Sequence, residues 1–230
     1  MLPKSNSHLR LAIELLQAGP TFKEKLEKYV RPLIIKGVPS LINDLKKLYQ
    51  DPKKSEILGQ ILTSMCESME KEMCLDSKDE EEQDPTVQLW LYYFNSQHQY
   101  RLGNMEESLT FINKAIAHTP TVIELYIHKA KIMQFSGNRQ QASNLVEMAR
   151  DLDHADRYLN ALSSKYLFKI DEVKKAYDTM ALFSKEDKDG NLNVHEMQTM
   201  WFENHCGSSH YRQGNLRKAL HQFWHIHRHI

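Results

Sequence analysis

RLGNMEESLTFINKAIAHTP, residues 101–120, and QFSGNRQQASNLVEMARDLD, residues 134–153, decide the fold between them. Gly103 and Gly137 stand 34 positions apart, and another 34 lead to Asp171 in KIDEVKKA, again between two helical patterns. The small residue early in each second helix keeps the phase: Ser108, Ala142, Ala176. Ala115 and Ala149 share the interval, as do Leu109 and Ser143, although the latter pair is not alike.

A 34-residue unit of two antiparallel helices, with small residues where the helices cross, is the tetratricopeptide period. Pro120 closes the first clear unit where that pattern expects it. QTMWFENHCGSSHYRQGNLRKALHQFW, residues 198–224, adds a unit with its turn at Gly214 and its small residue at Ala219. Gly214 lies 43 positions after Asp171, so nine extra residues enter between the third and fourth units. The expected fold is all-α: tetratricopeptide-like helical repeats forming a segment of a right-handed α-α superhelix. Helices are expected upstream over 8–18, 21–36, 38–50 and 54–74, with breaks at Gly37–Pro39 and Asp51-Pro52. The organisation read from the sequence is therefore N-terminal helical repeats over 1–74, an acidic linker over 75–85, and repeats over 86–120, 121–154, 155–185 and 197–230. An inserted loop occupies 185–196. The linker, with its DEEEQD run, reads as a solvated loop.

Composition supports this reading. Hydrophobic content of 41% and charged content of 26% suit a globular chain, and eight glycines and seven prolines in 230 residues are few. Thirty basic residues balance thirty acidic ones, so no global field favours nucleic acid or a membrane surface. Cys66, Cys74 and Cys206 are an odd number without metal-ligand spacing, which points to a reducing compartment and a cytoplasmic protein. No apolar run is long enough to span a bilayer, and MLPKSNSHLR lacks a signal-peptide core.

Four stretches invite a chemical reading. KEDKDGNLNVHEMQ, residues 185–198, begins like an EF-hand loop, with Asp187, Asp189 and Asn191 at alternate positions. Leu192 stands where the turn needs glycine and Gln198 where a bidentate carboxylate completes the shell, so no calcium site is expected. From Asn193 onward this stretch is expected to belong to the next helix. His195-Glu196 opens like a zinc-peptidase HExxH, but Thr199 replaces the second histidine. His221, His225 and His229 fall four apart on one face of the last helix and read as a packing face, with no metal site expected. Arg157, Lys165 and Lys169, separated by 8 and 4 positions, turn only about 80–120° from the first on a helix. They are the candidate polyanion ligands, set against an ordinary solvated basic face. No nucleotide-binding glycine loop or serine-nucleophile motif occurs.

YVRPLIIKGVPSLINDLKKLY (29–49), HTPTVIELYIHKAKIMQFSGN (118–138), DHADRYLN (153–160) with KYLFK (165–169), and HEMQTMWF (195–202) resemble the auxiliary subunit of the N-terminal acetyltransferase A (NatA) complex. The likeness runs over nearly the whole chain. It implies a middle segment of a much longer superhelix that wraps the catalytic acetyltransferase subunit and anchors the complex to the ribosome. It implies a scaffold and no active site, since the acetyl-CoA chemistry belongs to the partner. It also implies inositol hexakisphosphate in the full complex, with Arg157, Lys165 and Lys169 as the residues nearest that role. Two positions depart from the family pattern: Ile170 replaces a small residue and Thr199 a cysteine. A generic tetratricopeptide peptide-binding adaptor is the alternative, and a calcium- or metal-dependent enzyme is disfavoured by the missing ligands.

Overall fold

The computed structural model describes residues 7–76, 82–184 and 193–230. These residues form twelve α-helices and no strand: α1 (Ser7–Leu15), α2 (Pro20–Ile35), α3 (Leu41–Asp44), α4 (Pro52–Glu72), α5 (Pro85–Leu102), α6 (Met105–His118), α7 (Ile123–Phe135), α8 (Arg139–Leu152), α9 (Arg157–Lys169), α10 (Val173–Ala181), α11 (Met200–Arg212) and α12 (Leu216–His229). The expected helix over 38–50 is divided, α3 being followed by a 3₁₀ segment at Lys46–Gln50. Two compact units result, residues 1–125 and 126–230. The division falls within α7 and not at the acidic stretch.

In the first unit, Phe22, Leu26, Val30 and Ile34 recur every four residues along α2 and are fully buried, as are Leu58 and Leu62 of α4 and Leu91 and Phe94 of α5. Asp51-Pro52 and Asp84-Pro85 start α4 and α5 in the same way. Each aspartate carboxylate accepts a backbone N–H, from Lys53 at 3.0 Å and Thr86 at 2.7 Å, and each proline fills a position that needs no N–H. Such caps stabilise a helix by about 1 kcal/mol. Gly37 ends α2 at φ +61°, and a Cβ there would sit 2.1 Å from Nε1 of Trp90, so both backbone and packing demand glycine. Of the acidic stretch, Leu75 is buried and the Gln83 N–H bonds the Met73 carbonyl at 2.7 Å. Residues 77–81 lie outside the described set.

The repeat turns have one geometry. Gly103, Gly137, Asp171 and Gly214 all adopt the left-handed conformation, at φ 88°, 86°, 65° and 76°. In each case the next residue donates its N–H five residues back. Asn104 bonds Gln99, Asn138 bonds Met133, Glu172 bonds Leu167 and Asn215 bonds His210, at 2.9–3.1 Å. Asp171 adopts this conformation without being glycine because the next repeat holds it: Arg212 forms an ion pair at 2.8 Å and the Ser209 hydroxyl donates at 2.7 Å. Ser108, Ala142, Ala176 and Ala219 are all buried, as the repeat requires.

A second row of small residues faces the first: Ser96, Ala130, Ser164 and Gly207, at intervals of 34, 34 and 43. Ser96 and Ser108 donate their hydroxyls to each other's carbonyls at 2.8 Å, and Ser164 donates to the Ala176 carbonyl at 3.0 Å. These bonds satisfy buried hydroxyls while letting two helix backbones approach closely.

The insertion cuts α10 short at Ala181 and delays α11 to Met200. Asp187, Asp189, Asn191 and Leu192 of the EF-hand-like stretch lie outside the described residues. Residues 193–198 do not open α11 as expected. They form a separate turn that closes at Gln198, φ 52°, with the Thr199 N–H bonded to the Val194 carbonyl at 2.9 Å. Val194 is buried in the second unit's core with Leu167, Phe168, Ala176, Met180, Phe202 and Cys206. Phe168 and Tyr177 meet Phe202 edge to face, with centroids 5.0 and 5.1 Å apart.

Candidate functional site

Helix α9 carries the candidate polyanion ligands. Its Leu159, Leu167 and Phe168 face the core, which leaves Lys165 and Lys169, one turn apart, half-buried at the edge of the hairpin. The Lys169 ammonium donates to Oε1 of Gln134 at 2.6 Å and lies 4.5 Å from the centre of the Tyr166 ring. Burial, followed by repulsion from Lys165 and Arg139, lowers its pKa below the ordinary lysine range. His205 of α11 faces the same charges. Burial, aided by Lys165, Lys169 and Arg212, pushes its pKa down to about 4, so it is neutral at pH 7.

Lys165, Lys169, Arg139, His205 and Arg212 therefore share one electrostatic neighbourhood drawn from α8, α9 and α11. Arg212 has its own carboxylate, Asp171. The two lysines have no ion pair with a carboxylate among the described residues; Lys169 is met by a neutral amide and an aromatic face. Cations that converge and repel each other raise the local positive potential.

Arg157 is placed differently. It opens α9, about 12 Å along the axis from Lys165, and its exposed guanidinium covers the Phe183 ring at 5.8 Å. The shared neighbourhood joins two of the three predicted residues and adds Arg139, His205 and Arg212, which no local spacing marks because they come from other helices.

A second polar cluster lies between the 193–198 turn, α11 and α12. Glu203 is fully buried, and its Oε1 meets Nδ1 of His195 at 2.6 Å and Nε2 of His229 at 3.0 Å. The His195 ring stacks on His225, with centroids 3.8 Å apart, and His221 stands edge-on to His225 at 4.6 Å. The four-residue spacing of His221, His225 and His229 was legible in the sequence; the carboxylate and His195 that meet that face were not.

Known proteins match this chain over its length. Residues 1–230 fit the family described as N-terminal acetyltransferase A, auxiliary subunit. The N-terminal acetyltransferase A complex auxiliary subunit NAA15 of Arabidopsis thaliana is 40% identical over 98% of this chain and 25% of its own length. N-alpha-acetyltransferase 16, NatA auxiliary subunit, of Mus musculus is 35% identical over 99% of this chain and 26% of its own. The chain thus spans about a quarter of the length of the curated relatives it matches. Among solved structures, "Structure of Naa15/Naa10 bound to HypK-THB" superposes with a TM-score of 0.86 at 27% identity, covering 98% of this chain and 34% of the other. With the family's own pattern matched from the first residue to the last, the chain belongs to the N-terminal acetyltransferase A auxiliary subunit family.

Proposed function

We propose that this chain is a non-catalytic scaffold segment of a NatA auxiliary subunit. Its helical hairpins present side chains to the catalytic acetyltransferase subunit and hold that enzyme's substrate-binding loops in an active arrangement. The longer protein carries this assembly to the ribosome in the cytoplasm, where N-terminal acetylation proceeds during translation. The observation that supports this most is the likeness to Naa15 in a structure that also contains Naa10, over 98% of this chain. Among the described residues no helix is long and apolar enough to cross a membrane.

Within that scaffold, the Lys165–Lys169 cluster binds a polyanion, with inositol hexakisphosphate as the ligand. Two half-buried ammonium groups one turn apart, with Arg139 and Arg212 nearby, offer charge-assisted hydrogen bonds to several phosphates at once. The anion in turn relieves the repulsion that adds to burial in depressing the Lys169 pKa. Arg157 reaches the same ligand only if the ligand extends two turns along α9.

Co-expression with a catalytic acetyltransferase subunit tests the scaffold reading. A complex of the two that persists through gel filtration is expected. Separate elution, both from this chain and from the longer protein containing it, would overturn the reading.

A further inference from the structure

Neither the repeat nor the cationic cluster accounts for the histidines gathered around Glu203. Glu203 is fully buried at the start of α11, and both of its hydrogen-bonded contacts, from His195 and His229, fall on Oε1. Its other oxygen, Oε2, is buried without a hydrogen-bond partner. Removing a carboxylate from water costs several kcal/mol unless its lone pairs are matched, and here one oxygen is used twice and the other not at all. His225 adds a third imidazole whose ring lies flat on that of His195. One ligand atom from each of His195, Glu203 and His225 lies within 4.8 Å of the other two.

Two imidazole nitrogens and a carboxylate oxygen make the three-ligand set that proteins use for zinc, and imidazole favours zinc and its first-row neighbours over calcium or magnesium. We propose that His195, Glu203 and His225 form a divalent transition-metal site, occupied by zinc. Ligand atoms at about 2.0–2.2 Å from zinc stand about 3.3 Å from one another in a tetrahedron. Side-chain rotations of the half-buried His195 and His225 supply the adjustment: the His195–Glu203 pair opens from 2.6 Å, and the two imidazoles turn off their stacking so that both lone pairs converge. His195 now turns an N–H toward the carboxylate. On binding, that proton moves to the other ring nitrogen, leaving a lone pair for the ion and no net change in charge on the ring.

The role that follows is structural. His195 belongs to the turn that closes the insertion, Glu203 to α11 and His225 to α12, so one ion pins the re-entry of the chain after the insertion onto the last hairpin.

The test uses the full chain, freed of any affinity tag and of metal by a chelator, then equilibrated with zinc chloride and passed through gel filtration before elemental analysis. One zinc per chain is expected, with a raised melting temperature that calcium and magnesium do not reproduce. His195→Ala and His225→Ala should each weaken retention tenfold or more, while His227→Ala, off the clustered face, leaves it unchanged. Glu203→Gln, similar in shape, serves as a further ligand variant, with circular dichroism confirming that each protein is folded. Cobalt(II) in the zinc-free chain should give the intense visible bands of four-coordinate cobalt. Absence of stoichiometric zinc in the wild type, equal retention by folded His225→Ala, or the weak bands of six-coordinate cobalt would each overturn the site.

Discussion

Burial holds both His98 in the first unit and His205 in the second to pKa values of about 4, but only His205 also feels neighbouring cations. His98 is buried between α4 and the 3₁₀ segment. Its Nδ1 shares a hydrogen bond with the Tyr49 hydroxyl at 2.8 Å, and burial is the cause of its shift. Burial also raises the Tyr49 pKa, which keeps the phenol protonated. His205 is only half-buried, and three cations add to the effect of burial. The first histidine is a closed packing arrangement in which a neutral imidazole meets a neutral phenol. The second lies in the field of Lys165, Lys169 and Arg212, which adds to the effect of burial. That difference separates a neutral buried pair from a cationic neighbourhood.

Acid tests the burial of His98 most strongly. The folded pKa of His98 lies below its ordinary value near 6.5, so the unfolded chain takes up the proton first as the pH falls. Its contribution to stability is fully present above pH 6.5 and is lost progressively towards pH 4. It amounts to at most about 3 kcal/mol. Urea unfolding midpoints should therefore fall across that window, and less steeply in His98→Gln. Parallel curves for the two proteins would break the account of His98 as a group buried in its neutral form.

Alanine at two helical glycines sharpens the same comparison on a smaller scale. A Cβ on Gly59 would meet Nε2 of His98 at 2.6 Å, and His98 is fixed by Tyr49. Overpacking there should cost about 1–3 kcal/mol. A Cβ on Gly207 would meet the Phe223 ring at 2.7 Å, but that ring is partly exposed and can swing aside. Alanine's better helix propensity, about 1 kcal/mol, then offsets most of the penalty. Equal melting-temperature losses in Gly59→Ala and Gly207→Ala would contradict this difference.

What the sequence revealed follows from what each feature depends on. The turns at Gly103, Gly137, Asp171 and Gly214 depend on residues a few positions apart, so their period was visible, including the non-glycine member. The facing row of Ser96, Ala130, Ser164 and Gly207 has the same period but mixes hydroxyl, methyl and no side chain. Only the contacts across each hairpin expose it. The turn at 193–198 was read as helix because its residues are helix-compatible, while the left-handed Gln198 that ends it carries no glycine signal. Lys165 and Lys169 were legible because they share one helix face. Arg139, His205 and Arg212 were not, because tertiary packing brings them there from other helices. Glu203 gave no local sign that it would be surrounded by imidazoles.

The cationic region is tested most directly by calorimetric titration of inositol hexakisphosphate, into the chain alone and into its complex with a catalytic acetyltransferase subunit. One ligand per chain is expected, and Lys165→Ala/Lys169→Ala should weaken binding tenfold or more, as loss of charge-assisted hydrogen bonds implies. Arg157→Ala, over the Phe183 ring, should change affinity much less. Arg101→Ala, a first-unit cation already engaged by Asn43 and the Tyr49 ring, should leave it unchanged. No heat in either setting, or equal affinity in the double-lysine variant, would contradict the assignment of this region as an anion site.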